Sequence, residues 1–133
     1  MDDKLRTIAG DCLRGAETGT ATFPQIVGTL MQAGFESYAV DYRRSTATYY
    51  LPDGDSVTLP MPRHAAAIGQ AFDTELLRAA IREAQQQVPG YTYPGFCAKA
   101  MAAGCVGYVV SFPGRRAVYS GRTAETLVEH FPQ

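Results

Sequence analysis

Lysine is nearly absent from this chain, its cysteines are odd in number, and no apolar run approaches the length of a membrane span. Only Lys4 and Lys99 stand beside ten arginines. Arginine is the better donor for planar, bidentate contacts to anions, although an Arg-rich genome leaves the same skew. A net charge of −1 argues against a general nucleic-acid binder, which relies on a basic face. Without an apolar run of about 20 residues, no membrane helix and no membrane partner are expected. Cys12, Cys97 and Cys105 show no C-x-x-C spacing, and His64 and His130 form no H-x-x-x-H or H-E-x-x-H pattern, so the common signatures of a metal site are missing. Neither G-x-G-x-x-G nor a Walker motif occurs, and no cofactor is implied. The start, Met1-Asp2-Asp3, is acidic and runs into an amphipathic segment unlike a signal peptide. The expectation is a cytoplasmic protein with reduced thiols.

What the chain does have is an internal repeat. Residues 22–49 align without a gap on residues 92–119, with nine identities in 28 positions. Thr22 falls on Thr92, Pro24 on Pro94, Met31 on Met101, Gly34 on Gly104, Tyr38 on Tyr108 and Tyr49 on Tyr119. A length of 133 residues suits one domain, able to bury roughly two-thirds of its unfolded surface. We therefore expect a single domain over residues 1–133 with repeats over about 3–59 and 73–122, a connector over 60–72 and a pseudo-two-fold axis. The seam between the halves is the place to look for a site.

Periodicity places the elements. Leu5, Ile8, Ala9, Cys12 and Leu13 share a helical face, and Gly15 and Gly19 are read as its end. Thr22-Phe23-Pro24-Gln25 has the form of a capping box with proline in the first turn, and Gly34 that of a C-terminal cap. Residues 36–43 alternate as a strand, 46–51 return, Asp53-Gly54 turns, and 56–59 are a possible third strand. Pro60 and Pro62 oppose regular pairing, and Ala65–Ala67 fit helix or extended chain equally. Asp73 caps a helix over 74–87 with an apolar face of Leu76, Leu77, Ala80, Ile81 and Ala84; Pro89-Gly90 stops it. Thr92 opens the next helix, which ends at Gly104; strands over 105–112 and 116–120 and a short amphipathic tail follow. The fold class is α+β: two helix–helix–β-hairpin repeats, an antiparallel sheet of four to five strands, and helices over one face.

The chemistry is sparse. A nucleophilic cysteine needs a base and a lowered pKa, and nothing in the spacing ties His64 or His130 to Cys12, Cys97 or Cys105. Asp41, mid-strand, has the residue type of a general base, but a solvated or arginine-paired aspartate is the commoner case. The tyrosines matched by the repeat, Tyr38/Tyr108 and Tyr49/Tyr119, read as core, while Tyr50 and Tyr91 are freer to line a pocket. The arginines are the sharper lead. Each hairpin turn carries an Arg-Arg pair, Arg43-Arg44 and Arg115-Arg116, with Arg122 close by and no acid over 105–124. If the hairpins lie side by side, these five residues would gather a phosphate or carboxylate at one edge.

The stretch from Asp41 to Gly54 (Asp-Tyr-Arg-Arg-Ser-Thr-Ala-Thr-Tyr-Tyr-Leu-Pro-Asp-Gly), the stretch from Met101 to Arg122, with its Gly-Cys-x-Gly-Tyr and Gly-Arg-x-x-x-Tyr-x-Gly-Arg patterns, and the Glu129-His-Phe-Pro132 tail resemble the YdfO/YbcV-like bacterial family of unknown function. Its members are often labelled "phage envelope protein". The resemblance implies a small α+β protein of bacteria or prophages and carries over no activity; the envelope label sits poorly with a chain that has no membrane segment. The leading expectation is a non-enzymatic binding or regulatory module for a small anionic ligand at Arg43, Arg44, Arg115, Arg116 and Arg122. The alternatives are a protein–protein module or homodimer through a sheet edge, and a small enzyme using Asp41, Cys105 or His64.

Overall fold

The computed structural model describes residues 1–64 and 66–132. Two helices open the chain. Helix α1, Asp3–Thr18, is capped by the Asp2 carboxylate, which accepts from the Leu5 N–H at 2.8 Å. It passes through Gly15 rather than stopping there and ends at Gly19 in a left-handed conformation. Gly15 serves packing instead: a Cβ there would meet the Ala21 side chain at 3.0 Å, and its carbonyl accepts from Thr20 and Ala21 as the chain reverses. Helix α2, Phe23–Ala33, has the expected capping box. Thr22 Oγ1 accepts from the Gln25 N–H, and Gln25 Oε1 accepts from the Thr22 N–H. Gly34, at φ +103°, closes it.

Strands β1 (Ser37–Asp41), β2 (Thr46–Tyr50) and β3 (Ser56–Pro60) follow. Pro60 is tolerated because it ends an edge strand, opposite Thr46. Of Ala65–Ala67, Ala65 lies outside the described residues, and Ala66 and Ala67 lie in neither helix nor strand. Helix α3 (Thr74–Gln86) is capped by Asp73, helix α4 (Tyr93–Ala102) by Thr92. Strands β4 (Cys105–Ser111), β5 (Arg116–Gly121) and β6 (Thr126–His130) complete the chain. The sheet has six strands, not four or five, in the order β3-β2-β1-β4-β5-β6, antiparallel throughout. The undercount came from residues 126–130, read as a tail. They pair with β5 from Ser120↔Thr126 to Arg116↔His130.

The element order ααβββ thus occurs twice, and the pairings Tyr38↔Tyr49 and Tyr108↔Tyr119 stand at the same offset of 70. Ser45 and Arg115, also 70 apart, hold the left-handed positions of the two hairpin turns. The halves meet through β1 and β4, where Ala39 faces Val109. Alternate strand residues, among them Tyr38, Val40, Tyr49, Val57, Tyr108, Val110, Tyr119 and Leu127, join the helices in one buried core. Their neighbours face the other way, where Thr58, Thr48, Ala39, Val109, Val118 and Val128 form one row across all six strands. Val109 is 47% exposed and Val128 41%, so that face is uncovered.

Helix α3 corrects one expected contact. Leu77, Ala80 and Ile81 are buried, but Leu76 is 58% exposed, because one residue turns the helix by about 100° away from the core stripe. Leu77→Ala should therefore cost about 2–5 kcal/mol in urea unfolding, and Leu76→Ala less than about 0.5 kcal/mol. Equal losses at the two positions would contradict this packing.

Candidate functional site

A cavity of about 380 Å³ lies between the helices and the sheet, lined from both halves of the chain. Its floor is aromatic. Tyr49 stacks on Tyr38 (ring centroids 5.4 Å apart), Tyr38 meets Tyr108 edge-on (6.2 Å), and Tyr108 leans on Tyr119 (5.1 Å), so four tyrosines cross β2, β1, β4 and β5 in sequence. The cross-strand pairings 38↔49 and 108↔119 bring these rings together. Tyr91, Tyr93 and Phe96 close one wall; Cys12, Leu13, Ala16 and Ile26 close another. Phe131 stands at the mouth, edge-on to Phe23 at 5.8 Å.

The polar groups are few and mostly hydroxyls. Tyr93 Oη and Tyr108 Oη hydrogen-bond at 2.6 Å. Burial pushes the phenols of Tyr38, Tyr49, Tyr93, Tyr108 and Tyr119 well above the usual tyrosine range, and that of Tyr91 up to about 12. All are neutral near pH 7, so they present hydroxyls and ring faces but no phenolate. Among the described residues, Glu129 is the one Asp or Glu that lines the cavity and His130 lines it too, while no Lys or Arg does. Glu129 was invisible in the sequence because its strand was taken for a tail. No alternation marks it, because Leu127 and Glu129 share one face and Val128 and His130 the other, each an apolar residue beside a polar one.

The five arginines do not meet. Because β1 and β4 are antiparallel, with Asp41 opposite Gly107 and Ser37 opposite Ser111, their hairpin tips point to opposite ends of the sheet. Arg43 and Arg44 stand at one end; Arg115 and Arg116 stand at the other, roughly 20 Å away at ~3.4 Å per residue. Arg122 follows β5 at the Arg43 end, but the two turns are about three strand spacings apart, roughly 14 Å. A single anion site holding all five is therefore excluded by the direction of the strands.

Asp41 belongs to its turn. Its Oδ1 accepts from the N–H groups of Arg43 and Arg44 at 2.9 and 3.1 Å. Seventy residues on, Ser111 Oγ does the same for Gly114 at 2.9 Å. His64 lies near Glu17: burial raises the Glu17 carboxyl and His64 pulls it back in part. Glu17 Oε1 and His64 Nε2 are buried without a hydrogen-bond partner among the described residues. Asp41, Cys105 and His64 are thus engaged with three different sets of neighbours.

With the fold and cavity in view, comparison with known families is decisive over residues 11–129, which match the family described as Protein of unknown function (DUF1398). The chain belongs to the DUF1398 family. No curated protein matches it. The family description assigns no reaction to this DUF1398 chain, so its chemistry has to be read from its own residues.

The thiols are the remaining nucleophiles of this family member. All three are buried. Burial raises each above the ordinary thiol value, Cys97 up to about 12. Cys105 Sγ donates to the Gly107 carbonyl at 3.2 Å, and no histidine perturbs it. Such thiols are inert packing groups. Ellman's reagent at pH 8 should accordingly label well under one thiol per native chain within minutes, and all three in guanidinium chloride. Rapid native labelling of Cys105 would restore it as a nucleophile candidate.

Proposed function

We propose that this DUF1398 chain is a non-enzymatic binding protein that holds a small, largely apolar molecule in the cavity between its two halves. The observation that carries this reading is the aromatic-walled cavity itself. Its volume falls in the range of small-molecule sites, which are concave, mostly apolar and furnished with a few polar groups. At about 30 Å³ per water, it has room for roughly a dozen waters, and apolar walls favour their exchange for a ligand. Neutral phenols and buried, raised thiols support binding rather than catalysis. An anionic ligand at the arginines finds less support, since they divide between two ends of the sheet and none lines the cavity.

We also infer that the halves are true repeats, with the cavity on their axis; the equal offsets of identities, pairings and left-handed turn residues support this. The likeness to the YdfO/YbcV-like family suggests a bacterial or prophage setting. Among the described residues no helix is long and apolar enough to cross a membrane.

The test is a thermal-shift panel of small aromatic and aliphatic alcohols, amines and acids. A ligand at about 100 times its Kd should add about 2.7 kcal/mol, or several degrees. Ala84→Phe, which fills the cavity from α3, should remove that shift while leaving the folded baseline intact. A shift that survives the substitution would place the ligand elsewhere.

A second reading concerns the uncovered sheet face, which fits a second copy of the chain. Its middle row is Thr, Ala and Val from edge to edge, and beside these it carries Asp41, Arg116, His130 and the Tyr50 phenol as ionisable groups on the strands. A nearly neutral, β-branched face needs no complementary charge and suits itself in sheet-on-sheet packing. Sedimentation equilibrium at tens of micromolar should show a dimer, converted to monomer by Val109→Glu. A wild-type monomer under those conditions would overturn this reading.

A further inference from the structure

Resting on the cavity reading above, we propose that its ligand is an organic cation, an ammonium ion carried on an apolar or aromatic body, with Glu129 as the counter-ion. Four observations converge on this. First, Glu129 is the one Asp or Glu among the described residues lining the cavity, which include His130 but no Lys or Arg. The register Ala117↔Glu129, two residues from Tyr119↔Leu127, puts it on the core-facing side of β6 beside Tyr119, and its charge helps raise the Tyr119 phenol. Second, Glu129 is half-buried and forms no ion pair among the described residues. Arg116 and His130 are strand partners whose register faces the other side of the sheet, although His130 also borders the cavity, and the Arg115 carbonyl accepts from the Phe131 N–H. A half-buried carboxylate without a protein partner is free to accept a charge-assisted hydrogen bond from a bound cation.

Third, the walls suit a cation. Aromatic ring faces carry negative quadrupole and attract ammonium groups within about 6 Å of their centroids, more strongly when desolvated. Fourth, the groups that would favour an anion are reduced in number. The N-termini of α2 and α4 both open onto the cavity, and helix N-termini ordinarily attract anions through free N–H groups. Here Pro24 and Pro94 have no N–H. The N–H groups of Gln25 and Gly95 are already given to Thr22 and Thr92, and that of Thr22 to Gln25. Against Glu129 stand only the His130 ring and the N–H groups of Phe23, Thr92 and Tyr93 among the described lining residues.

The experiment is calorimetric titration of the full chain at pH 7 with three probes of one shape: 4-phenylbutylamine, 4-phenylbutanol and 4-phenylbutyrate. The amine should bind at least about tenfold more tightly than the alcohol, as expected of a charge-assisted contact with cation–π support. The carboxylate should bind most weakly. Glu129→Gln should erase the amine's advantage while leaving the alcohol within about twofold of wild type, and Glu129→Asp should keep most of it. If the alcohol matches the amine, if the carboxylate binds best, or if Glu129→Gln weakens amine and alcohol equally, the cation assignment is wrong while the cavity reading stands. If none of the three binds the wild type and no ligand of the wider panel is lost in Ala84→Phe, the cavity reading itself falls, and this inference with it.

Discussion

The antiparallel pairing of β1 with β4 joins two three-stranded sheets into one surface, and the ring of Tyr38 reaches across that join to Tyr108. Each half alone would leave an edge strand open and a helix pair resting on a narrow sheet, a poor arrangement for a chain of this size. Pairing at the middle removes both edges and lays the four tyrosine rings end to end under the helices. Aromatic pairs at such separations add about 0.5–1.5 kcal/mol each beyond the area they bury. The row therefore stabilises the seam and furnishes its lining with the same atoms.

The cavity follows from how the helices sit above that row. α1 packs on α2 and α3 on α4, with only slight contact between α1 and α4. Between the two pairs the floor is left partly uncovered. Small residues at the rim, Ala16, Ala21 and Ala84, keep it open, and the capped N-termini of α2 and α4 face it. Its electrostatics come from what is kept out. Every arginine stands elsewhere, every phenol stays neutral, and the single carboxylate arrives on the last strand.

Much of this was legible in the residues. Thr22, Gln25 and Gly34 state one helix's beginning and end through local hydrogen bonds and backbone freedom, and Asp73 and Thr92 state the beginnings of two more. Tyr38, Val40 and Tyr42 mark a strand and its buried face by alternation. Other features depended on distant atoms. Gly15 reads locally as a stop, yet it lies within α1, where the close approach of Ala21 leaves little room for a larger side chain. Leu76 reads as core, yet the stripe that Leu77, Ala80 and Ile81 present leaves it in water. Strand β6 shows no apolar–polar alternation and is a strand because β5 offers it a ladder.

The sequence by itself determined the caps, the alternation, the internal likeness at a spacing of 70 and the cysteines' lack of a partner motif, because each is written in neighbours within a few residues or in direct self-comparison. Only the tertiary structure decided which ends of the hairpins lie together. Antiparallel pairing of β1 and β4 sends Arg43-Arg44 and Arg115-Arg116 apart, and the same pairing brings Tyr38 and Tyr108 into contact. The direction in which two strands meet is a long-range property with no local signature, and it is what made the seam aromatic and not basic.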